Sequence, residues 1–445
     1  MNINAHPFQS RPDRTLVALS IPVLLSMTAE PVTALVDTAF ISSLGVDALA
    51  ALGIGTTALS SLFWIFNFLG IGTQTEVAQA FGKNKTDQTS RITSLAFLLS
   101  IGFGSLLILL IWPLSGWVAG LLGGAGQVQS LAVEYMQVRI FGAPAVLLML
   151  VSFGALRGVQ DMRTPLWIAL GINLLNLLLD WLLIFGNGPF PQLGVAGSAL
   201  ASTISQWVGA LVGLWVVAAK TGLSGQFALG DAVRLLRVGG DLFLRTALLN
   251  LFLIFTTRAA NNIGPDAGAA HQVIRQVYVF TSLALDAFAS TVQSLVGYFI
   301  GQQAVDWAKQ VVKVGVRWSL GTGVTLGALM WFGRGLVIDL LVPATAVAVF
   351  IPAWAVSAFS QPLNSLAFLT DGAHWGTGDY RFLRNAMLLA TGIGLSSLWL
   401  VTTVWESALF WIWIATGVWV IIRAVFGMLR IWPGIGESDF NPAGA

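Results

Sequence analysis

The chain contains no cysteine, which excludes a disulfide framework and any thiolate metal site. Charge is nearly as scarce: Asp, Glu, Lys and Arg make up 9% of the 445 residues, against about 25% in a soluble domain. A chain embedded in lipid needs few charges, because each one at membrane depth costs roughly 2.5–3.5 kcal/mol on insertion scales. The three histidines, His6, His271 and His374, are too scattered for a zinc cluster. A net charge of only +2 makes no case for nucleic acid as a partner. No Walker loop or other phosphate cradle appears, which argues against ATP as an energy source, and no cofactor is implied. The opening segment MNINAHPFQSRPDRTL has neither an apolar core directly after its basic residues nor a small-residue cleavage site, so it reads as a short cytoplasmic tail.

What is present is apolar. Hydrophobic residues make up 56% of the chain and the mean hydropathy is +0.80. A hydrocarbon core about 30 Å thick needs a helix of about 20 apolar residues. The Gly, Pro and charged breaks delimit twelve such stretches, near 16–41, 48–81, 92–113, 131–155, 165–186, 195–219, 241–262, 267–300, 318–341, 347–371, 384–404 and 408–430. The expected fold is an all-α integral membrane protein with twelve transmembrane helices in two pseudo-symmetric six-helix lobes. The N-terminal lobe covers 1–220, a cytoplasmic linker 221–240, and the C-terminal lobe with a short tail 241–445.

Basic residues alternate in the same register. Lys83, Lys85 and Arg91 follow the second span, Arg157 and Arg163 the fourth, and Lys220, Arg234 and Arg237 the sixth. Lys309, Lys313 and Arg317 follow the eighth, and Arg381 and Arg384 the tenth. The intervening connections SSLGVD, GWVAGLLGGAGQVQ, GNGPFPQLG and WES carry no Lys or Arg. By the positive-inside rule both termini are cytoplasmic. The halves also repeat. Moving 219 residues along, Gly45, Asp47, Ala48, Ala50 and Ala51 meet Gly264, Asp266, Ala267, Ala269 and Ala270, and Gln74, Val77 and Gly82 meet Gln293, Val296 and Gly301. Gly158, Asp161 and Arg163 meet Gly376, Asp379 and Arg381 one residue closer. Parallel repeats of this kind occur in transporters that alternate access by moving one half against the other.

Ionisable residues inside a membrane span are functional by default. In the first span Glu30, Thr33 and Asp37 stand at i, i+3 and i+7 and share a helix face, beside Pro22 and Pro31, which free nearby carbonyls and allow bending. In the fifth, Asn173, Asn176 and Asp180 share a face, and the small-residue sixth span adds Thr203. Two carboxylates with amide and hydroxyl partners suit a cation site. Burial and a second carboxylate both favour the protonated acid, which suits proton uptake, while Asp37, Asn176 and Asp180 offer oxygens to Na⁺. Interhelical hydrogen bonds that only fix packing are the plainer reading, more persuasive for one Asn or Thr than for two converging Asp. The second half has Thr256 in the place of Asp37 and offers Arg245, Arg258, Arg275, Asp286 and Asp371 instead. These read first as mutually neutralising pairs. The alternative is that Asp286 or Asp371 faces a central cavity and meets a cationic substrate, with Arg258 and Arg275 as further candidates for a polar site. Most of the 18 Trp and 27 Phe suit lipid-facing positions, although Trp64, Phe66 and Phe68 suit a cavity lining.

IPVLLSMTAEPVTALVDTAFISSLG, ALRGVQDMRTPL, RTALLNLFLIFTTRAANNIG, LDAFASTVQSLVG and DGAHWGTGDYRFLRNAM together resemble the multidrug and toxic compound extrusion (MATE) family, in particular its DinF-like branch. The resemblance implies a non-enzymatic antiporter that exports xenobiotics, small organic molecules that are often cationic or aromatic, against H⁺ or, alternatively, Na⁺. It implies Asp37 as the membrane carboxylate, Pro22 as the bend point, and Asn176 and Asp180 as completing the cation site. It also carries over Ala199 and Thr203 from the sixth helix. Glu30 does not match the family's further first-helix acid. The implied setting is a bacterial inner membrane, with the chain as a monomer in the lipid bilayer. A lipid-precursor flippase of the same superfamily is the nearest alternative, kept open by the arginines of the second half. G-T-G-D at 376–379 evokes an intramembrane aspartyl protease, but its repeat mate G-V-Q-D at 158–161 marks it as a loop signature.

Overall fold

The computed structural model describes residues 6–226, 229–403 and 408–441, and the described chain is helical almost throughout. The WES connection and part of the expected linker lie outside the described residues. After a single helical turn at Pro7–Ser10, the membrane-length helices of the first half are α1 (Pro12–Ser42), α2 (Val46–Gly82), α3 (Thr86–Leu121), α4 (Gly126–Gly158), α5 (Arg163–Phe185) and α6 (Gly194–Thr221). Those of the second are α7 (Leu229–Ile263), α8 (Pro265–Gly301), α9 (Val305–Phe332 with Arg334–Leu341), α10 (Ala344–Phe359 with Gln361–Thr377), α11 (Tyr380–Thr403) and α12 (Leu409–Ile431). Among the described residues ten are long and apolar enough to cross a bilayer alone, and counting the bent pairs α9 (57°) and α10 (46°) as one span each brings the number to twelve. Helices suit this environment because each satisfies its own backbone polar groups where no water can.

The chain divides into two compact units, Ile21–Gly239 and Met1–Ser20 with Gly240–Ala445. The expected linker is therefore helical from Leu229, and α1 contributes its first turns to the C-terminal unit. There Phe8 and Leu16 pack with Val292, Leu295 and Phe299, and Ser20 Oγ lies 3.1 Å from Thr291 Oγ1. The change of unit falls between Ser20 and Ile21, immediately before Pro22.

The internal repeat is present in atomic detail. A Cβ on Gly154 would come 2.4 Å from Gly70 O, and one on Gly372 would come 2.2 Å from Ala289 O. One helical turn later, a Cβ on Gly158 would come 2.9 Å from Gln74 O and one on Gly376 would come 2.7 Å from Gln293 O. Each half thus contains a G-x-x-x-G face (GALRG, GAHWG) that lets α4 touch α2, and α10 touch α8, backbone to backbone. Asn84 and Gln303 both adopt positive φ (55° and 58°), as do Gln160 and Gly378 (63° and 81°). Pro144 in α4 and Pro362 in α10 recur at the same place. Each removes the donor that would meet the carbonyl four residues earlier, which accounts for the 3₁₀ turn Ile140–Gly142 and helps account for the bend at Ser360.

Loop acids close each half in the same way. Asp161 pairs with Lys220 at the end of α6, and Asp379 Oδ2 accepts from Arg430 Nε (2.8 Å) at the end of α12. Burial alone would raise the Asp161 carboxyl. The Lys220 ammonium, with the hydroxyl and N–H of Thr164, outweighs it and holds the group below 3.8.

Candidate functional site

The N-terminal unit brings four helices to one buried polar centre. Asn176 and Asp180 lie one turn apart on α5 and face inward because their spacing of four matches the helix repeat. Asp180 is fully buried and neither carboxylate oxygen has a hydrogen-bond partner. Asp37 on α1 is half-buried, with Oδ1 enclosed and also unpartnered. The two carboxyls are within hydrogen-bonding reach of each other. Ionised carboxylates only accept hydrogen bonds, so this contact needs a proton or another cation between them. Asn176 Nδ2 donates to Ser202 Oγ (3.4 Å). Thr203 Oγ1 donates to Ala199 O (2.8 Å) in its own helix and reaches Val138 O at the break in α4 (3.4 Å). Trp207 Nε1 satisfies a second carbonyl of that break, Phe141 O (3.0 Å).

The other expected residues sit differently. Ala199 is fully buried among Ile41, Ile140, Ala143 and Ile184, and its carbonyl accepts from Thr203. Glu30 lies on α1 two turns before Asp37, about 10 Å along the axis, and is exposed; no hydrogen bond or ion pair joins it to the site. Thr33 turns back to Ala29 O (3.1 Å). Pro22 and Pro31 do not interrupt α1, which is helical from Pro12 to Ser42. Of the aromatics, Trp64 is exposed, while Phe66 and Phe68 pack with Phe103.

The site also holds two residues that the sequence reading passed over. Tyr135 and Arg139, one turn apart on α4, are both buried. The Tyr135 hydroxyl interacts with Arg139 and lies in electrostatic range of Asp37 and Asp180. The available signal was a lone arginine within an apolar span, VEYMQVRIFG.

The C-terminal unit has a different polar centre. Asp371 Oδ2 accepts from both Arg245 and Arg423, the latter at 2.7 Å. All three side chains are less than 9% exposed. The guanidinium of Arg245 lies 5.2 Å from the Trp375 ring, and that of Arg423 lies 4.5 Å from Trp419. Asp286 is in electrostatic range of Arg245, so two cations face two carboxylates. Arg423 was missed, although it is a charge in the middle of the apolar span Leu409–Ile431. Arg258 and Arg275 do not join this cluster. Arg258 is exposed in a groove of about 570 Å³ with Phe255, Asn262 and Trp399, and Arg275 lies near His271. Of the four candidates for a polar site, Asp286 and Asp371 thus share the surroundings of Arg245, and Arg258 and Arg275 lie elsewhere.

Twelve spans, an internal repeat and a carboxylate pair inside one half define a membrane transporter of the MATE type. The MatE family model matches residues 22–182 and 242–400, and the chain belongs to this family. It is 30% identical over 437 residues to DNA damage-inducible protein F of Escherichia coli (strain K12), covering 96% of this chain and 93% of that protein. It is also 30% identical over 432 residues to the chloroplastic Protein DETOXIFICATION 44 of Arabidopsis thaliana, covering 94% and 81%. Among solved structures, MATE in the bent conformation superposes with a TM-score of 0.87 at 20% identity, covering 94% of each chain. The protein is thus an integral membrane transporter of the DinF-like branch and not an enzyme.

Proposed function

We propose that the protein is a secondary active antiporter that exports organic, often cationic or aromatic, small molecules in exchange for protons. The observation that carries this reading is the Asp37–Asp180 pair. Two carboxyls from different helices stand in hydrogen-bonding reach with three oxygens unpartnered, one of the residues fully buried. One proton completes that contact without any further ligand. Asn176, Thr203 and Tyr135 supply the polar wall. No cofactor enters the cycle. A chain of this kind acts as a monomer in a bacterial inner membrane, with both termini in the cytoplasm.

Protonation removes negative charge from α1 at Asp37, and α1 then changes shape at Pro22. That proline leaves the Ala18 carbonyl without its helical donor, at the point where α1 passes from one compact unit to the other. Inward movement of one positive charge supplies about 2.3 kcal/mol per 100 mV, enough to bias a two-state element more than tenfold. Sodium coupling uses the same residues and is separated by experiment below. The flippase reading is weakened because the charges of Arg245 and Arg423 are already paired with Asp371.

Everted or reconstituted vesicles loaded with a fluorescent organic cation test the proposal, with a pH gradient and a Na⁺ gradient imposed separately. The pH gradient should drive transport in wild type and fail to do so in Asp37→Asn. Transport that follows only the Na⁺ gradient, or that survives in Asp37→Asn, would overturn it.

A further inference from the structure

Arg139 is a buried charge that proton exchange leaves without a task. It ends the first segment of α4, directly before the 3₁₀ turn Ile140–Gly142. Its guanidinium carbon lies 5.6 Å from the Phe63 ring, and Nη1 is enclosed with no hydrogen-bond partner. Gly142 makes room for it, since a Cβ there would come 2.6 Å from Nη1. The same point is 3.4 Å from Gln206 Oε1 and 3.5 Å from Thr203 Oγ1. Gln206 Oε1 is itself a buried acceptor without a partner. Arg139 also acts electrostatically on Asp37. A free donor, a free acceptor and the Thr203 hydroxyl therefore gather round Gly142, and Arg139 links them electrostatically to Asp37 of the carboxylate pair.

We propose that Arg139 makes this site selective for the proton over Na⁺ and other small metal cations, by standing as a tethered cation among the oxygens that such an ion would need. A hard cation is held by a shell of oxygen ligands. The oxygens at hand are those of Asp37, Asp180, Thr203 and Gln206, and a guanidinium brings five N–H donors that compete for the same lone pairs. Its charge opposes both ions alike. The competition for oxygens handicaps only the metal, because a proton binds one carboxylate oxygen and needs no shell. Without the guanidinium, two acidic side chains and two neutral oxygens remain, a set suited to sodium. The inference rests on the proton-antiport reading, and sodium binding tests it separately from transport.

The experiment is saturable binding of radioactive Na⁺ to the purified full-length protein in detergent at pH 8, for wild type, Arg139→Gln, Arg139→Lys and Arg139→Gln/Asp37→Asn. Folding is monitored by the tryptophan-fluorescence unfolding transition. Arg139→Gln should bind Na⁺ at least tenfold more tightly than wild type, the double variant should lose that gain, and Arg139→Lys should stay near wild type. If Arg139→Gln shows no unfolding transition, Gly142→Ala replaces it, because its Cβ displaces the guanidinium and should give a gain of the same sign. A folded variant that binds no more Na⁺ than wild type overturns the inference, as does tight Asp37-dependent Na⁺ binding by wild type. Failure of proton-driven efflux in vesicles would instead strike the antiport reading.

Discussion

Replacing Asp371 by leucine should be among the most damaging single changes in the C-terminal unit. The substitution keeps the number and branching of side-chain heavy atoms and removes the acceptor shared by Arg245 and Arg423, both less than 9% exposed. Two hydrogen bonds to a charged group are lost, at about 1.5–3 kcal/mol each. Breaking a buried ion pair by deleting one partner costs about 3–5 kcal/mol, which agrees with that sum. The expected loss of about 3–5 kcal/mol lowers the folding equilibrium constant by roughly 150- to 5,000-fold. The sign of a second substitution is the sharper test. Asp371→Leu/Arg423→Leu removes one cation together with one anion and leaves Arg245 beside Asp286, so the double variant should be more stable than Asp371→Leu alone. A denaturant titration in detergent, followed by the fluorescence of the 18 tryptophans, reads both quantities. A loss below about 1 kcal/mol for Asp371→Leu, or a double variant less stable than the single one, would refute the neutralised-cluster account.

Gly372→Ala and Gly154→Ala should each cost about 1–3 kcal/mol or more, because the new Cβ meets a backbone oxygen of the facing helix that cannot move aside. Gly171→Ala, which meets nothing within 4 Å, should be neutral or slightly stabilising in the same thermal-unfolding assay. Asp161 is held below 3.8 in the folded state, so its contribution is present at neutral pH and is lost as pH falls through that lowered value. The stability gap between wild type and Asp161→Asn should therefore be constant from pH 7 to 5 and close below about pH 4; with Lys220 43% exposed, that ion pair contributes about 0–1 kcal/mol of the gap. Pro22→Ala restores a donor to the Ala18 carbonyl and stiffens α1, so it should lower the efflux rate several-fold while leaving equilibrium substrate affinity within about twofold. Parallel vesicle efflux and ligand-binding measurements check that split.

Much of this molecule was legible because a bilayer simplifies what a sequence must encode. Spans and their alternation of basic ends follow from the cost of charge in lipid, and a period of 3.6 placed Asn176 and Asp180 on one inward face. The repeat was visible as identities such as Gln74 with Gln293, and the structure shows what some of them do. Gly158 and Gly376 take those glutamines' carbonyls at close range. Periodicity said less about how far a side chain sits from its partners. Glu30 shares a helix face with Asp37 but is exposed two turns away. Arg139 acts on Asp37 from a position 102 residues along the chain, on a different helix. Arg245 and Arg423 meet at Asp371 from positions 126 and 52 residues distant, a convergence that no local pattern announces.

The central claim is that the Asp37–Asp180 pair exchanges a proton for substrate. Proton release on substrate binding tests it most directly, measured with a pH indicator on purified protein in weakly buffered detergent solution. The account predicts that an organic cation releases about one proton per molecule bound to wild type and none from Asp37→Asn. Substrate binding with no proton release, or the same release from Asp37→Asn, would contradict it.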